Sequence, residues 1–444
     1  MKKVITYGTF DLLHYGHIRL LERAKSLGDY LIVGITSDGF DRTRGKINVQ
    51  QSLAERIEGV RKTGLADKIV VEEYEGQKID DILRLGVDIF TVGSDWRGHF
   101  DYLNQYCKVV YLERTQGISS TEIRSAKKML KLGMVGESSY LNKFERESHY
   151  VNGIEVIGIC AKSLEQLNDK VRNLSVVTSD FQELLNAVDA VYIISNPSEH
   201  YSQIKTALES GKHVLCESPL TLNVSQLKEL RKLANDKHLM MMDALRTAYS
   251  TAFIRMLLLV RSGKIGQVYS VDSICTSLRN VDEESKNGGW NSICSWGPTA
   301  MLPIFQLLGT DIKHEEIASH FLDTDKTYDT FTKIAFVYDH AVASLKVGMG
   351  VKSEGELIIS GTEGYVYVPA PWWKTEYFEL RYENPANTRR YYYQLDGEGI
   401  REELVTFINS IGERKSLSYI NNNLSEKIVK TIEDFYLSNN NISI

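Results

Sequence analysis

Five short apolar segments, at 4–7, 30–35, 68–71, 89–92 and 109–112, alternate with stretches of helical spacing in the first 112 residues. Strands that alternate with helices in this way argue for a parallel sheet with helices on both faces. A helix rich in Lys and Arg is expected over 119–131 and closes the unit. The pattern then restarts. Leu132-Gly-Met-Val-Gly136 reads as a strand and turn, and further strands are expected at 154–160, 176–178, 190–195 and 213–216, which makes a second doubly wound α/β unit. From about Arg246 the texture changes to longer apolar helices (253–261, 300–308) and strand-like runs at 269–275, 331–337, 341–347, 356–360, 365–368 and 375–381. A late mixed sheet suggests an α+β domain. The expected class is α/β overall, with domains at 1–128, 132–245 and 246–444.

At 444 residues the chain is too long for one ordinary domain. Its net charge of −6 gives no support for nucleic acid or an anionic membrane surface as partner. The five cysteines lack metal-ligand spacing, and their odd number without a secretory signal fits a reducing cytoplasm. The most apolar run, 256–260, is flanked by Arg255 and Arg261 and suits a core helix, not a membrane span.

Residues 5–17, Ile-Thr-Tyr-Gly-Thr-Phe-Asp-Leu-Leu-His-Tyr-Gly-His, carry the chemistry. The first strand runs into the turn Gly8-Thr9-Phe10. His14 and His17 follow, and then a helix with Ile18, Leu21, Ala24 and Leu27 on one face. The histidines thus sit at a helix N-terminus after a strand, where free N–H groups and the helix dipole favour phosphate. Two imidazoles there can hold a triphosphate and stabilise the charge that grows on its α-phosphate.

Gly8-Thr-Phe-Asp-Leu-Leu-His-x-Gly-His17 resembles the nucleotidylyltransferase signature, and in this wording the glycerol-3-phosphate cytidylyltransferase family. The likeness runs from residue 1 to about 125 and includes Gly93-Ser-Asp-Trp96 and Tyr111-Leu-Glu-Arg-Thr-Gln-Gly-Ile-Ser-Ser-Thr121. It implies a Rossmann-like domain in which His14, His17, Lys46 and Arg114 serve catalysis. Gly8, Thr9, Phe10, Asp11, Arg44, Gly93, Asp95, Gly117, Ser119, Ser120 and Thr121 complete the CTP site. Trp96 is expected at the nucleotide or polyol pocket. The family has lysine where Arg44 stands. Mg²⁺ is the expected metal, with Asp11 its candidate ligand.

Asp189-Ala-Val-Tyr-Ile-Ile-Ser-Asn-Pro-Ser-Glu-His200 and Ala207-Leu-Glu-Ser-Gly-Lys-His-Val-Leu-Cys-Glu-Ser-Pro219 resemble the Gfo/Idh/MocA family of NAD(P)-dependent oxidoreductases, over roughly 132–444. The likeness implies a Rossmann dinucleotide-binding domain followed by a substrate or oligomerisation domain. Gly136, Ser138, Ser139, Lys162, Ser163, Asn196, Pro197, His200, Glu217 and Ser218 are its implied cofactor residues. The departures are specific. Of the expected Gly-x-Gly-x-x-Gly only Gly136 remains, the usual Glu-Lys-Pro reads Glu217-Ser218-Pro219, and Asp-x-Gly-x-His reads Ser295-Trp-Gly-Pro-Thr299. Arg246 and Tyr249 are replacement candidates in a reductase site. The second strand ends without an acidic residue, and Lys162-Ser163 suits a 2′-phosphate, which points to NADPH over NADH.

Together these readings imply a bifunctional cytoplasmic enzyme that makes a CDP-polyol. The C-terminal part reduces a sugar or ketose phosphate, and the N-terminal part couples the polyol phosphate to CTP with release of pyrophosphate, for capsule or teichoic-acid-like polymers. The partners are then small molecules, with no nucleic acid or membrane, and a homodimer or higher oligomer is expected. The alternative keeps the cytidylyltransferase and makes the rest an inactive oxidoreductase-like binding or oligomerisation module.

Overall fold

β1 (Lys3–Gly8), β2 (Tyr30–Thr36), β3 (Lys68–Glu72), β4 (Ile89–Gly93) and β5 (Lys108–Leu112) pair in parallel in the order β3-β2-β1-β4-β5. In the computed structural model the described residues are 1–43, 49, 51–74, 76–113, 129–278, 289–374, 376–393, 395–437 and 441–444. They form two units, Met1–Met129 and Leu130–Ile444. In the first unit α1 (Tyr15–Lys25), α2 (Asp38–Thr43), α3 (Leu53–Lys62) and α4 (Gln77–Leu85) cover the sheet. Alternation along β1 sends Val4 to one face with Leu21, Ala24 and Val60, and Ile5 to the other with Ile82, Phe90 and Leu103. Ser52 and Glu55 form a reciprocal capping box that fixes where α3 begins. The chain reverses its winding between β1 and β4, so the crevice of this unit opens at the C-terminal ends of those strands.

The second unit starts on another parallel sheet: β6 (Leu130–Val135), β7 (Ile154–Cys160), β8 (Val176–Thr178), β9 (Ala190–Ile193), β10 (His213–Glu217) and β11 (Met241–Ala244). From β8 the strands lie third, second, first, fourth, fifth, sixth, the order of dinucleotide-binding sheets. Its helices are α5 (Tyr140–Ser148), α6 (Asp169–Arg172), α7 (Phe181–Ala187), α8 (Pro197–Glu209) and α9 (Val224–Asp236). After α10 (Thr251–Arg261) comes a nine-stranded mixed sheet. It is built from β12 (Val268–Ser277), β13 (His314–Phe321), β14 (Asp329–Val337), β15 (Val342–Met349), β16 (Leu357–Gly361), β17 (Tyr365–Val368), β18 (Tyr377–Arg381), β19 (Arg389–Tyr392) and β20 (Ile442–Ser443). α11 (Ser292–Leu308), α12 (Ile400–Glu413) and α13 (Asn422–Leu437) complete the unit, and α11 contributes Ile293, Met301, Ile304 and Phe305 to the main core.

Two sequence expectations need correction. The helix proposed over 119–131 does not reach its expected end, because Leu130 and Lys131 are already strand, paired with Ile154 and Glu155; the part up to 128 lies outside the described residues. The helix proposed from 300 begins at Ser292, capped by the Asn291 side chain, which accepts from the Cys294 N–H at 3.1 Å. The core face of α11 outweighs the propensity against Gly297, Pro298 and Pro303.

Asp329 ties the start of α11 to the mixed sheet. Its carboxylate is fully buried and accepts from the Ile293 N–H at 3.1 Å and the Thr332 hydroxyl at 2.6 Å. Burial pushes its pKa from 3.8 up to about 6, against the pull of these bonds. Between those values the folded state holds a proton that the unfolded chain has released. The stabilisation linked to Asp329 is therefore full below about pH 4 and lost as pH rises through 6, a swing on the order of 3 kcal/mol. Asp329→Asn should melt above wild type at pH 7, and the gap should close toward pH 4.

Candidate active sites

The turn between β1 and α1 is unusual for its residues. Phe10 (φ 51°) and Leu12 (φ 47°) both adopt left-handed backbone while carrying side chains. Phe10 is 2 % exposed, and its ring lies so close to Gly8 that a Cβ there would stand 2.9 Å from it. His14 caps α1: its backbone is extended and its Nδ1 accepts the Gly16 N–H at 3.1 Å. That contact leaves Nε2 to carry the ring proton. The His14 and His17 rings stack with centroids 3.9 Å apart, and Phe10 meets His17 edge-on at 5.5 Å. The stacked imidazoles thus lie at a helix N-terminus, whose unpaired N–H groups and dipole favour an anion.

Beneath the turn lies a buried guanidinium. Arg56 of α3 has a fully buried side chain and donates to the carbonyls of Thr9, Thr36 and Gln51, to Asp41 and to Asp38. Asp41 also accepts from the hydroxyls of Thr9 and Thr36. Gln51 closes the ring, with Oε1 accepting the Leu12 N–H at 2.7 Å and its own N–H donating to Asp11 at 3.0 Å. Thr9, Asp11 and Leu12 are thereby fixed from below.

The structure thus gathers Gly8, Thr9, Phe10, Asp11, His14 and His17 around the end of β1. Gly93 ends the neighbouring β4, where a Cβ would meet no atom within 4 Å. Trp96 is 38 % exposed and packs near His99 and Phe100. Arg44, Lys46, Arg114, Gly117, Ser119, Ser120 and Thr121 lie outside the described residues, as does the Asp95 side chain.

In the second unit Gly136 (φ 130°) ends β6 against Ile194 and Ser195, where a Cβ would come within 3.0 Å of backbone. Ser138 occupies the second glycine position and Leu141, fully buried in the core, the third. The Ser138 hydroxyl accepts the Tyr140 N–H at 3.3 Å, and Ser139 precedes the first residue of α5. Glu137 accepts from the N–H groups of Lys162 and Ser163 at 2.9 and 3.1 Å. Asn196 caps α8, with Pro197 as its first residue. His200 is buried, its two ring nitrogens 2.9 and 3.0 Å from the carbonyl oxygens of Pro219 and Ser195; burial pulls its pKa down. It braces the β9–α8 turn against the Ser218–Pro219 bend.

Next to that bend lies a buried charged group. Glu217 accepts from the Tyr192 hydroxyl at 2.5 Å, and Arg246 lies over the Tyr140 ring at 4.9 Å. Burial raises the Glu217 pKa, and the Arg246 charge opposes this. Burial, and then Glu217, raise the pKa of Glu403 on α12 well above the carboxylate range. Tyr249 does not face this cleft: it is 1 % exposed and its hydroxyl meets Ser418 at 2.7 Å, so it is a core tyrosine. On α11 the positions expected to hold Asp and His carry Ser295 and Thr299, and Trp296 packs on Trp373 at 4.9 Å.

The Cytidylyltransferase-like family profile matches residues 5–126. Glycerol-3-phosphate cytidylyltransferase of Bacillus spizizenii is 51 % identical over 124 residues, which are 28 % of this chain and 95 % of that protein. The chain belongs to the cytidylyltransferase-like family. Beyond this cytidylyltransferase unit, residues 130–244 match the Oxidoreductase family, NAD-binding Rossmann fold. The uncharacterized oxidoreductase YhhX of Escherichia coli is 35 % identical over 108 residues, 24 % of this chain and 31 % of that protein. The 3-ketoreductase KijD10 from Actinomadura kijaniata, solved with TDP-benzene and NADP, shares the fold at TM-score 0.61 and 16 % identity, over 71 % of this chain and 99 % of its own. The chain therefore joins a cytidylyltransferase domain to an oxidoreductase-family domain.

Arg56, Asp41 and Gln51 of the cytidylyltransferase unit escaped the sequence reading, and so did Tyr140, Tyr192 and Glu403 of the oxidoreductase-like unit. The one signal available for Arg56 was a cation at a position of α3 that faces the apolar core with Val60.

Proposed function

We propose that the chain makes a CDP-activated polyol in two consecutive steps, with residues 1–128 as cytidylyltransferase, 132–245 as dinucleotide domain and 246–444 as substrate and oligomerisation domain. The observation that carries this reading is the His14–His17 stack at the N-terminus of α1, inside the region half identical to a glycerol-3-phosphate cytidylyltransferase. A phosphate oxygen of the polyol phosphate attacks the α-phosphorus of CTP, the bond to the β-phosphate breaks, and pyrophosphate leaves. The nucleophile is already anionic, so the site needs positioning and charge neutralisation and no general base. His14 and His17 donate to the phosphates; Lys46 and Arg114, with Arg44, supply cationic charge.

The oxidoreductase-like unit precedes this step by reducing a sugar or ketose phosphate. Its sheet order, the Gly136 turn and a carboxylate at the end of β7 fit a nicotinamide dinucleotide, which supplies a hydride to the carbonyl carbon when bound. In this reading Arg246, which lies over the Tyr140 ring at 4.9 Å, holds the substrate phosphate. In sequence Lys162 and Ser163 suit NADPH; in the fold the carboxylates of Glu137 and Glu199 beside them favour NADH. A second reading, an inactive module, is favoured by Ser218, Ser295 and Thr299 in place of the family's polar catalytic groups. No helix among the described residues is long and apolar enough to cross a membrane, which is compatible with the cytoplasm, where CTP is available.

The test is a screen of polyol phosphates with CTP, read as pyrophosphate release, alongside carbonyl-dependent oxidation of reduced dinucleotide. Release with no polyol phosphate tested would sink the first activity; no oxidation and no dinucleotide binding would leave the inactive module. Among the described residues no group of three or more His, Cys, Asp or Glu is placed to hold a metal, and Asp11 already accepts from Gln51. Mg²⁺ is then carried in on the triphosphate. Excess chelator should abolish turnover, while Mg²⁺ titrated alone into the protein should show only weak binding.

A further inference from the structure

In a doubly wound dinucleotide site the adenosine ribose lies beyond the end of the second strand, where an acidic side chain accepts its 2′-hydroxyl. Here β7 ends at Cys160, and Ala161-Lys162-Ser163 holds no acid. A carboxylate reaches the place from the preceding turn. Glu137 directs Oε1 to two successive backbone donors, the N–H of Lys162 at 2.9 Å and of Ser163 at 3.1 Å. Such a pair of N–H groups is a natural anion seat. Glu137 is exposed, and among the described residues its Oε2 makes no hydrogen bond, so one oxygen is anchored while the other keeps its full acceptor capacity.

We propose that Glu137 sets the dinucleotide preference of the oxidoreductase-like unit: its anchored carboxylate receives the adenosine 2′-hydroxyl and excludes a 2′-phosphate, so that the unit takes NADH. The inference rests on reading this unit as a dinucleotide-dependent reductase. A 2′-phosphate needs the same two N–H donors that Glu137 fills, and it would lie beside a fixed like charge. Lys162 does not offset this. Its side chain is 81 % exposed and its Nζ already lies 3.2 Å from Glu199. The corner thus carries two carboxylates and one solvated ammonium. A ribose diol, by contrast, donates to a carboxylate with no charge to repel, and a hydrogen bond to a charged acceptor is among the stronger kinds.

Isothermal titration of the full chain with NADH and with NADPH tests the inference, with enhancement of nicotinamide fluorescence as a second readout. Wild type should bind NADH at least about tenfold more tightly than NADPH, the difference that one charge-assisted hydrogen bond supplies. Glu137→Gln removes the charge at an exposed position and should shift the ratio toward NADPH by about tenfold or more, whereas Lys162→Ala should move it by less than about threefold. Equal or tighter binding of NADPH by wild type, or an unchanged ratio in Glu137→Gln, overturns the role of Glu137 and leaves the reductase reading standing. If neither dinucleotide binds to wild type or to Glu137→Gln, the reductase reading itself fails, and this inference with it.

Discussion

His17→Ala should cut CTP-dependent pyrophosphate release by about 10²–10³-fold while the fold survives. His17 stacks on His14 at 3.9 Å at the start of α1, and His14 is held in turn by the Gly16 N–H. Removing the His17 ring takes away one donor that is already oriented when charge builds on the α-phosphate, and leaves Phe10 without its edge contact. The loss should fall on kcat more than on KM for CTP, because the donor matters most in the transition state. Far-UV circular dichroism controls for folding. Turnover within a few-fold of wild type would remove His17 from the chemistry.

The second large effect is structural. Arg56→Met should destabilise the cytidylyltransferase unit by about 3–5 kcal/mol, since Asp41 would keep its buried charge without its cation. The carbonyls of Thr9, Thr36 and Gln51 would lose their donor as well. Arg56→Lys should rescue only part of this, because a compact ammonium cannot reach five acceptors in fork geometry. Adding Asp41→Asn to Arg56→Met should recover stability beyond the sum of the single changes, which a double-mutant cycle on denaturant midpoints measures. A midpoint for Arg56→Met equal to that of wild type would mean that the guanidinium holds nothing together.

All strands of the two parallel sheets except β11 were legible because buried parallel strands read as compact apolar runs: 154–160 and 176–178 coincide with β7 and β8, and the other expected strands differ by a residue or two. β13, with the sequence His-Glu-Glu-Ile-Ala-Ser-His-Phe, was not legible, since only Ile317 and Ser319 of its residues are buried. α11 began earlier than its spacing suggested because glycine and prolines mask a helix whose buried face decides. At the sites, the histidine signature could be read because its residues are adjacent in sequence. Arg56 could not, because its role depends on partners 5 to 47 residues away. A charged side chain gives no sign in a sequence of whether its partner is water or a backbone donor brought close by the fold.

The left-handed pair at Phe10 and Leu12 has a consequence for how this protein can change. Each residue holds its backbone at a cost of about 1–2 kcal/mol that glycine would not incur. Glycine at position 12 would therefore favour the folded chain, yet it would also free the segment that aims His14 and His17. Thermostability and turnover pull this turn in opposite directions. A library screened for heat resistance alone would drift toward glycine at position 12 and return robust proteins with slack, slow active sites.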